Sequence, residues 1–138
     1  MRIWHYKLIP YLPNKQLKAM RYELGDMIKQ YPNIKHPLVK YANDYDIMFL
    51  CKCFSKVNVQ LKRNNINCSL KYNNNIYDIV HSKSKMEKIN IRSLNFKEHN
   101  NRYLKQCYYN LQEKYDRGII TSEEWNLINK NIGSEIDE

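Results

Sequence analysis

Residues 14–31 read NKQLKAMRYELGDMIKQY, and the spacing of the apolar side chains in this stretch decides the fold class. These side chains recur every three or four residues, as on one face of an α-helix. They are Leu17, Met20, Leu24, Met27, Ile28 and Tyr31. Asn14 is a suitable N-cap and Tyr31-Pro32 interrupts the pattern. The stretch predicts an amphipathic helix over residues 14–31.

Similar patterns predict further helices at about 38–63, with a break near Asn43-Asp44, and at about 98–116, with Gly118 as the C-cap. The sequence Thr121-Ser-Glu-Glu124 is a capping box, which predicts a short fourth helix through about Ile128. Residues 64–97 are rich in Asn, Lys and Ser and lack a durable period. They predict a long irregular insertion, with short strands at 69–72 or 76–81 as an alternative.

The chain of 138 residues therefore predicts a mainly α protein. We expect a single compact domain over residues 1–130, built on three principal helices around one core. An acidic tail is expected at residues 131–138.

Positive charge dominates the body of the chain. Its 23 Lys and Arg residues against 14 Asp and Glu residues give a net charge of +9. Five of the acidic residues and only one basic residue, Lys130, lie after residue 120. This asymmetry favours binding of a polyanion such as nucleic acid. The alternative is a generally basic soluble protein.

Several function classes lack their motifs in this sequence. Four cysteines (Cys51, Cys53, Cys68 and Cys107) have no metal-ligand spacing, so we expect reduced, mostly buried thiols. There is no glycine-rich phosphate loop, zinc-protease helix or serine-esterase elbow. The longest apolar run is far shorter than a membrane span. We expect a cytoplasmic protein with no membrane segment.

One carboxylate has an unusual position on the predicted first helix. Glu23, Gln16 and Ala19 fall together on one flank of the apolar arc, where a carboxylate is partly desolvated yet reaches a ligand. A solvated surface glutamate is the alternative. A free α-amine has a reference pKa of about 8, which makes it a usable nucleophile near neutral pH.

Several stretches resemble one enzyme family. They are Met1 to His5, Leu12-Pro13 followed by Gln16-Leu17, Arg21-Tyr22-Glu23, the segment from His36 to Tyr45 with the helix ending Lys62-Arg63-Asn64, and Glu98-His99 followed by Tyr103-Leu104, Cys107 and Asn110-Leu111. Together they are similar to the pyrimidine-dimer DNA glycosylases, also called endonuclease V. The similarity covers about residues 1–66 and 98–118.

The resemblance implies a helical fold with the N-terminal segment threaded between the helices. It implies cleavage of damaged double-stranded DNA through an imine between a terminal α-amine and the sugar, followed by β-elimination. Nothing in the sequence demands more than a monomer. Met1 would supply the amine, or Arg2 if Met1 is removed. Glu23 would be the catalytic carboxylate, and Arg2 would also hold a phosphate. No metal or organic cofactor is implied.

Further DNA contacts are expected from aromatic and basic residues. Trp4 and His5 are candidates for a stacking wedge, with core packing as the alternative for Trp4. Tyr22 stands where the family usually has arginine, and Arg21 points away from Glu23 on the helical wheel, so the phosphate contact there is either missing or supplied by Lys18. Arg21 and Tyr22 are kept among the candidate DNA contacts. His36 and His99 would orient phosphate or sugar, or else be structural. The remaining candidates for phosphate contacts are Lys15, Lys62, Arg63, Arg102, Lys105 and Arg117.

The first interpretation is thus a DNA repair glycosylase with associated AP-lyase activity. A non-catalytic DNA- or RNA-binding protein with the same fold is the second. A protein that binds an acidic partner is the third.

Overall fold

Helices account for all the regular structure in the residues described by the computed structural model, which are 1–86 and 94–136. The α-helices are α1 (Asn14–Gln30), α2 (Met48–Arg63), α3 (Leu70–Lys83), α4 (Asn101–Asp116) and α5 (Ser122–Ile136). Two 3-10 helices are η1 (Tyr6–Tyr11) and η2 (Lys40–Asp44). The expectation of a mainly α protein is confirmed.

The opening helix has the predicted buried face. Leu17, Met20 and Leu24 are fully buried, and α1 packs against α2 and α3. The end of α1 is fixed by Lys83 of α3, whose ammonium group donates to the carbonyls of Ile28, Lys29 and Tyr31 at 3.1, 3.0 and 2.8 Å. A cation at this position satisfies carbonyls that the helix itself leaves unpaired. The helix thus ends where the sequence predicted.

Three further expectations about helix ends are confirmed. The pattern at 38–63 is broken between η2, which ends at Asp44, and α2, which begins at Met48. At the start of α5, the Thr121 amide donates to Glu124 Oε1 at 2.9 Å and the Glu124 amide donates to Thr121 Oγ1 at 3.2 Å. Gly118 follows α4 with a φ of 76°, the left-handed conformation that favours glycine.

The prediction of an irregular insertion at 64–97 is wrong for most of the residues that the structure describes there, because α3 occupies Leu70–Lys83. The two alternative strands fall on this helix or at its start and are also wrong. Ser69 caps α3 by accepting a hydrogen bond from the Tyr72 amide at 3.1 Å, and Ile76 and Val80 bury one face of it. Burial of that face outweighs the poor helix propensity of the asparagine run. Residues 87–93 lie outside the described residues.

The fourth predicted helix is longer than expected, because α5 continues to Ile136. Ile128, Ile132 and Ile136 follow one another at intervals of four and are all buried. Residues 131–136, assigned to an acidic tail, therefore belong to a packed helix, while residues 137–138 lie outside the described residues. The expectation of three principal helices is likewise replaced by five α-helices in the described chain.

The N-terminal segment lies among the helices, as expected. Ile3 is fully buried, and its carbonyl accepts a hydrogen bond of 2.5 Å from the Tyr103 hydroxyl of α4. The following 3-10 helix, η1, packs against α2 and α5. The first residues are therefore part of the core rather than a frayed end.

Candidate active site

A cavity of about 240 Å³ lies where the N-terminal segment meets α1 and α4. Its lining residues are Met1, Arg2, Trp4, Gln16, Ala19, Glu23, Leu38, Asn110 and Lys114. The structure thus brings together Met1, Arg2, Trp4 and Glu23, which sequence reasoning selected separately. We call this space the Glu23 cavity.

Helix α1 places the carboxylate. Gln16, Ala19 and Glu23 lie at intervals of three and four residues, so they share one flank of the helix, and all three line the Glu23 cavity. The adjacent flank carries Leu17, Met20 and Leu24 into the core and so fixes the rotation of α1. Glu23 is half-buried as a consequence.

The N-terminal segment places the α-amino group and the first arginine. Ile3 anchors the segment on its buried side, while Met1 is 37% exposed. The Arg2 guanidinium carbon lies 5.6 Å from the centre of the Trp4 ring, within the range of a cation–π contact. Trp4 itself is only 6% exposed, so it packs as a core residue and forms a wall of the Glu23 cavity.

Two charged groups of this cavity are unpaired in the described part of the chain, whereas Arg2 lies against Trp4 and near Cys107. Among residues 1–86 and 94–136, neither the Met1 amino group nor the Glu23 carboxylate takes part in an ion pair or hydrogen bond; the ion pairs there are Lys7–Glu135 and Arg117–Glu113. The lining holds one carboxylate against Met1, Arg2 and Lys114. The cavity is therefore cationic overall, which suits a polyanion.

Lys114 and Asn110 of α4 were missed by sequence reasoning as site residues. They are four residues apart and so lie on one face of α4, next to the core residues Cys107 and Leu111. The sequence shows this face but not that it meets α1. Only the packing of the helices brings Lys114 to Glu23.

The two histidine candidates His5 and His99 lie elsewhere. They are 1% and 8% exposed, and His5 Nε2 donates to the His99 carbonyl at 3.0 Å. His5 Nδ1 accepts a hydrogen bond from the Lys7 amide at 3.1 Å, and His99 Nε2 shares a bond of 2.6 Å with the Tyr41 hydroxyl. Neither histidine lines the Glu23 cavity, so a wedge or phosphate contact from them is replaced by a role in anchoring the N-terminal segment.

Burial keeps both imidazoles neutral. It lowers the pKa of His5 to about 4, because the charged ring would lose its hydration. Burial and, to a smaller extent, the nearby His5 together lower the pKa of His99 to about 3. Burial likewise raises the pKa of Tyr41 and Tyr103, which pack against these rings. These four residues form a neutral, hydrogen-bonded cluster, here called the His–Tyr cluster.

Arg21 is buried as well and turns away from the Glu23 cavity. It is 3% exposed, and its guanidinium donates to Asn58 Oδ1 at 2.8 Å and to Asn73 Oδ1 at 2.7 Å. It also donates to the Ser69 carbonyl at 3.3 Å and lies 4.6 Å from the centre of the Tyr72 ring. Its hydrogen bonds join α1, α2 and the start of α3, so the expected contact with DNA phosphate is replaced by a structural role.

The remaining candidates are spread over the surface. Tyr22, Lys15, Lys18, Lys62, Arg63, Arg102 and Arg117 are exposed, and His36 and Lys105 are half-buried. Arg117 forms an ion pair of 3.6 Å with Glu113, and His36 Nδ1 accepts a hydrogen bond from the Leu38 amide at 3.2 Å. None of these residues lines the Glu23 cavity. They stay predictions as phosphate contacts.

Residues 1–86 and 94–136 contain neither a metal-binding cluster nor a membrane-spanning helix. No group of three or more His, Cys, Asp or Glu side chains is arranged to hold a metal ion in this part of the chain. No helix in it has the length and apolar character needed to cross a membrane. The four cysteines are free thiols, as expected, with Cys51 and Cys107 buried.

The fold and the cavity define a class of small helical protein that presents an amine and a carboxylate together in a cationic site. A protein-family model described as pyrimidine dimer DNA glycosylase matches residues 1–74, more than half of the chain, and the chain belongs to this family. The match includes the N-terminal segment, α1 and α2, whereas α4, which supplies Lys114, lies beyond it. No curated protein and no solved structure matched the chain.

Proposed function

We propose that this chain removes damaged pyrimidines from double-stranded DNA and then cuts the strand as an AP lyase, working as a monomer without metal or organic cofactor. Membership of the glycosylase family supports the first step. The observation that carries the proposal is the presence of Met1 and Glu23 in one cavity with no partners among the described residues. An amine and a carboxylate are the groups that imine chemistry on a sugar needs.

The proposed reaction begins with the unprotonated α-amine. Only the neutral form of this amine carries the lone pair that forms the new bond. Its nitrogen lone pair attacks the sugar C1′, and the glycosidic electrons leave with the base. The sugar ring then opens and the amine nitrogen becomes part of an imine. If Met1 is removed, the amine of Arg2 takes this role.

Glu23 has two tasks in this proposal. Its carboxylate stabilises the positive charge that develops at C1′ as the base departs. It then assists removal of the C2′ proton, after which the C3′–oxygen bond breaks and the strand is cut by β-elimination. A half-buried carboxylate without an internal partner is available for both tasks.

The cationic lining would hold the DNA backbone. Arg2 offers a forked pair of donors to phosphate, and Lys114 adds a second positive charge to the lining. The damaged nucleotide must leave the base stack before C1′ becomes accessible. The nearly buried Trp4 gives the displaced nucleotide a rigid wall.

Incision assays test this function. We expect cutting of duplexes that carry a cyclobutane dimer or an abasic site, and no cutting of the undamaged duplex. Binding should weaken as salt increases. Lys114→Gln should reduce the slope of the logarithm of the binding constant against the logarithm of salt concentration by about 0.9. Lys130→Gln on α5 is the matched control. Salt-dependent binding without incision of either lesion would favour a non-catalytic nucleic-acid-binding protein instead.

A further inference from the structure

A second groove lies between η1 and α2 and shares no lining residue with the Glu23 cavity. Its volume is about 370 Å³, within the range typical of small-molecule sites. Its lining residues are Tyr6, Ile9, Pro10, Lys52, Ser55, Lys56, Val59, Gln60 and Arg63. We call it the η1–α2 groove.

The groove combines an apolar floor with positive charge. Ile9, Pro10 and Val59 supply apolar surface, and Val59 leaves 50% of its area exposed although it is a large hydrophobic residue. Lys52, Lys56 and Arg63 supply the charge, and none of the nine lining residues is acidic. A ligand that fits both features carries an anionic group and a flat apolar part.

Two of the positive charges lie one helical turn apart on α2, and the Lys52 ammonium group also donates to Asn95 Oδ1 at 2.8 Å. Lys52 and Lys56 are four residues apart on α2, a spacing at which like charges destabilise a helix. Burial of Lys52 and the charge of Lys56 both lower the pKa of Lys52. Lys56 and Arg63 are exposed, and neither forms an ion pair within residues 1–86 and 94–136. An anion bound here would relieve this repulsion.

An aromatic ring lies beside the exposed cations. The Lys56 ammonium nitrogen is 5.4 Å from the centre of the half-buried Tyr6 ring. Gln60 Nε2 donates to Asn64 Oδ1 at 3.0 Å, which leaves the Gln60 side-chain oxygen as an acceptor in the groove. Ring, apolar floor and acceptor together suit a nucleobase, since bases stack on aromatic side chains and carry donors at their edges.

We propose that the η1–α2 groove is a second binding site, for one nucleoside phosphate. Lys56 and Arg63 hold the phosphate, and the base lies against Tyr6 and the apolar floor. The nucleotide is either free or one unit of a single strand that passes over α2. This site goes beyond the proposed glycosylase activity, because it does not use Met1 or Glu23.

Amide chemical shifts of the ¹⁵N-labelled protein test the proposal. The probes are deoxythymidine 5′-monophosphate, inorganic phosphate and a four-nucleotide oligothymidylate. We expect saturable shifts at Tyr6, Lys56 and Val59 with the monophosphate or the oligonucleotide. A response to the monophosphate indicates a free nucleotide as a ligand, and a response to the oligonucleotide alone indicates a strand. Either supports the site.

Charge reversal supplies the controls. Lys56→Glu and, separately, Arg63→Glu should weaken the binding by about tenfold, as expected for losing one charged contact. Lys35→Glu, which changes an exposed lysine outside both sites, should leave the binding unchanged. The Glu23→Gln protein should show the same groove shifts, so this test does not depend on catalysis.

Three results would overturn the proposal. The first is the absence of groove shifts with both nucleotide probes. The second is an equal response to inorganic phosphate, which would show that the base does not contribute to binding. The third is unchanged binding in both folded charge-reversal variants, as judged by their circular dichroism.

Discussion

The Glu23 cavity and the His–Tyr cluster both include residues of the N-terminal segment. They differ in whether their polar groups have partners within the protein. In the cluster, His5, His99 and Tyr103 are hydrogen-bonded and largely buried. In the cavity, the Met1 amine and the Glu23 carboxylate have no partner in the described chain. The difference separates the residues that hold the segment from those free to meet a substrate.

This arrangement has an energetic reason. Buried polar groups that lack partners cost about 1–3 kcal/mol each, so the cluster must be fully paired. Groups in an open cavity keep water as a partner until substrate replaces it. A segment fixed at Ile3 and His5 can therefore present its first residue in a defined place, which favours an oriented reaction.

The largest effect on activity is expected in the Glu23 cavity, for Glu23→Gln. Strand cleavage should fall by about 10²–10⁴-fold, the usual contribution of a general acid or base. Binding to damaged DNA should persist, because the side chain keeps its size and loses only negative charge. Single-turnover incision and gel-shift titration measure the two effects. Asp26→Asn, on the exposed side of α1, is the matched control, and equal cleavage by Glu23→Gln would contradict the catalytic assignment.

Arg21→Ala should have the next largest effect, on stability rather than on chemistry. It removes the guanidinium that satisfies Asn58, Asn73 and the Ser69 carbonyl. We expect the free energy of unfolding to fall by about 3 kcal/mol. Urea denaturation measures this change, and the exposed Arg102→Ala should stay within about 0.5 kcal/mol of the wild type. Equal stability of the two variants would show that Arg21 does not join the helices.

Low pH should destabilise the protein through the two buried histidines of the His–Tyr cluster. Both have a folded-state pKa, about 4 for His5 and about 3 for His99, below the reference value of about 6.5 for an unfolded chain. The unfolded state therefore binds more protons, and stability falls as pH drops below about 6.5. Each histidine contributes up to about 1.4 kcal/mol per pH unit until its folded pKa is reached.

Urea unfolding at a series of pH values from 7 to 4 checks this slope. His5→Asn should flatten it, while His81→Gln, at an exposed position on α3, should leave it unchanged. If His5→Asn and the wild type had the same slope, groups other than His5 would be responsible for the loss of stability at low pH.

Tyr103→Phe should have the smallest effect on stability, about 1 kcal/mol, because it removes the hydrogen bond to the Ile3 carbonyl. It should also lower kcat for incision more than it changes KM, since the amine is less well oriented. Tyr109→Phe, at an exposed position on the same helix, is the control. Loss of stability with an unchanged kcat would show that this bond does not position the amine.

The sequence was sufficient to place Glu23 and its neighbours on one flank of α1, but not to find the rest of the Glu23 cavity or the paired residues of the His–Tyr cluster. The period of α1 placed Gln16, Ala19 and Glu23 on one flank, because helix geometry is local. Lys114 could not be found this way, since its approach to Glu23 depends on how α4 packs.

The burial of His5 and Arg21 likewise depends on packing. Their polar side chains resemble ligand contacts in the sequence, whereas their partners, the His99 carbonyl and Asn58, are far away along the chain. Helix α3 was missed for a related reason. Its asparagine run has low helix propensity, and only the packed face containing Ile76 and Val80 stabilises it.

Borohydride trapping tests the central claim most directly. The folded protein is incubated with dimer-containing and abasic duplexes, the imine is reduced, and the cross-linked peptide is mapped by mass spectrometry. We predict an adduct at the N-terminal residue, which is Met1 or, after its removal, Arg2. Attachment at Lys114, the other amine of the Glu23 cavity, or no adduct from DNA-bound protein, would contradict the account.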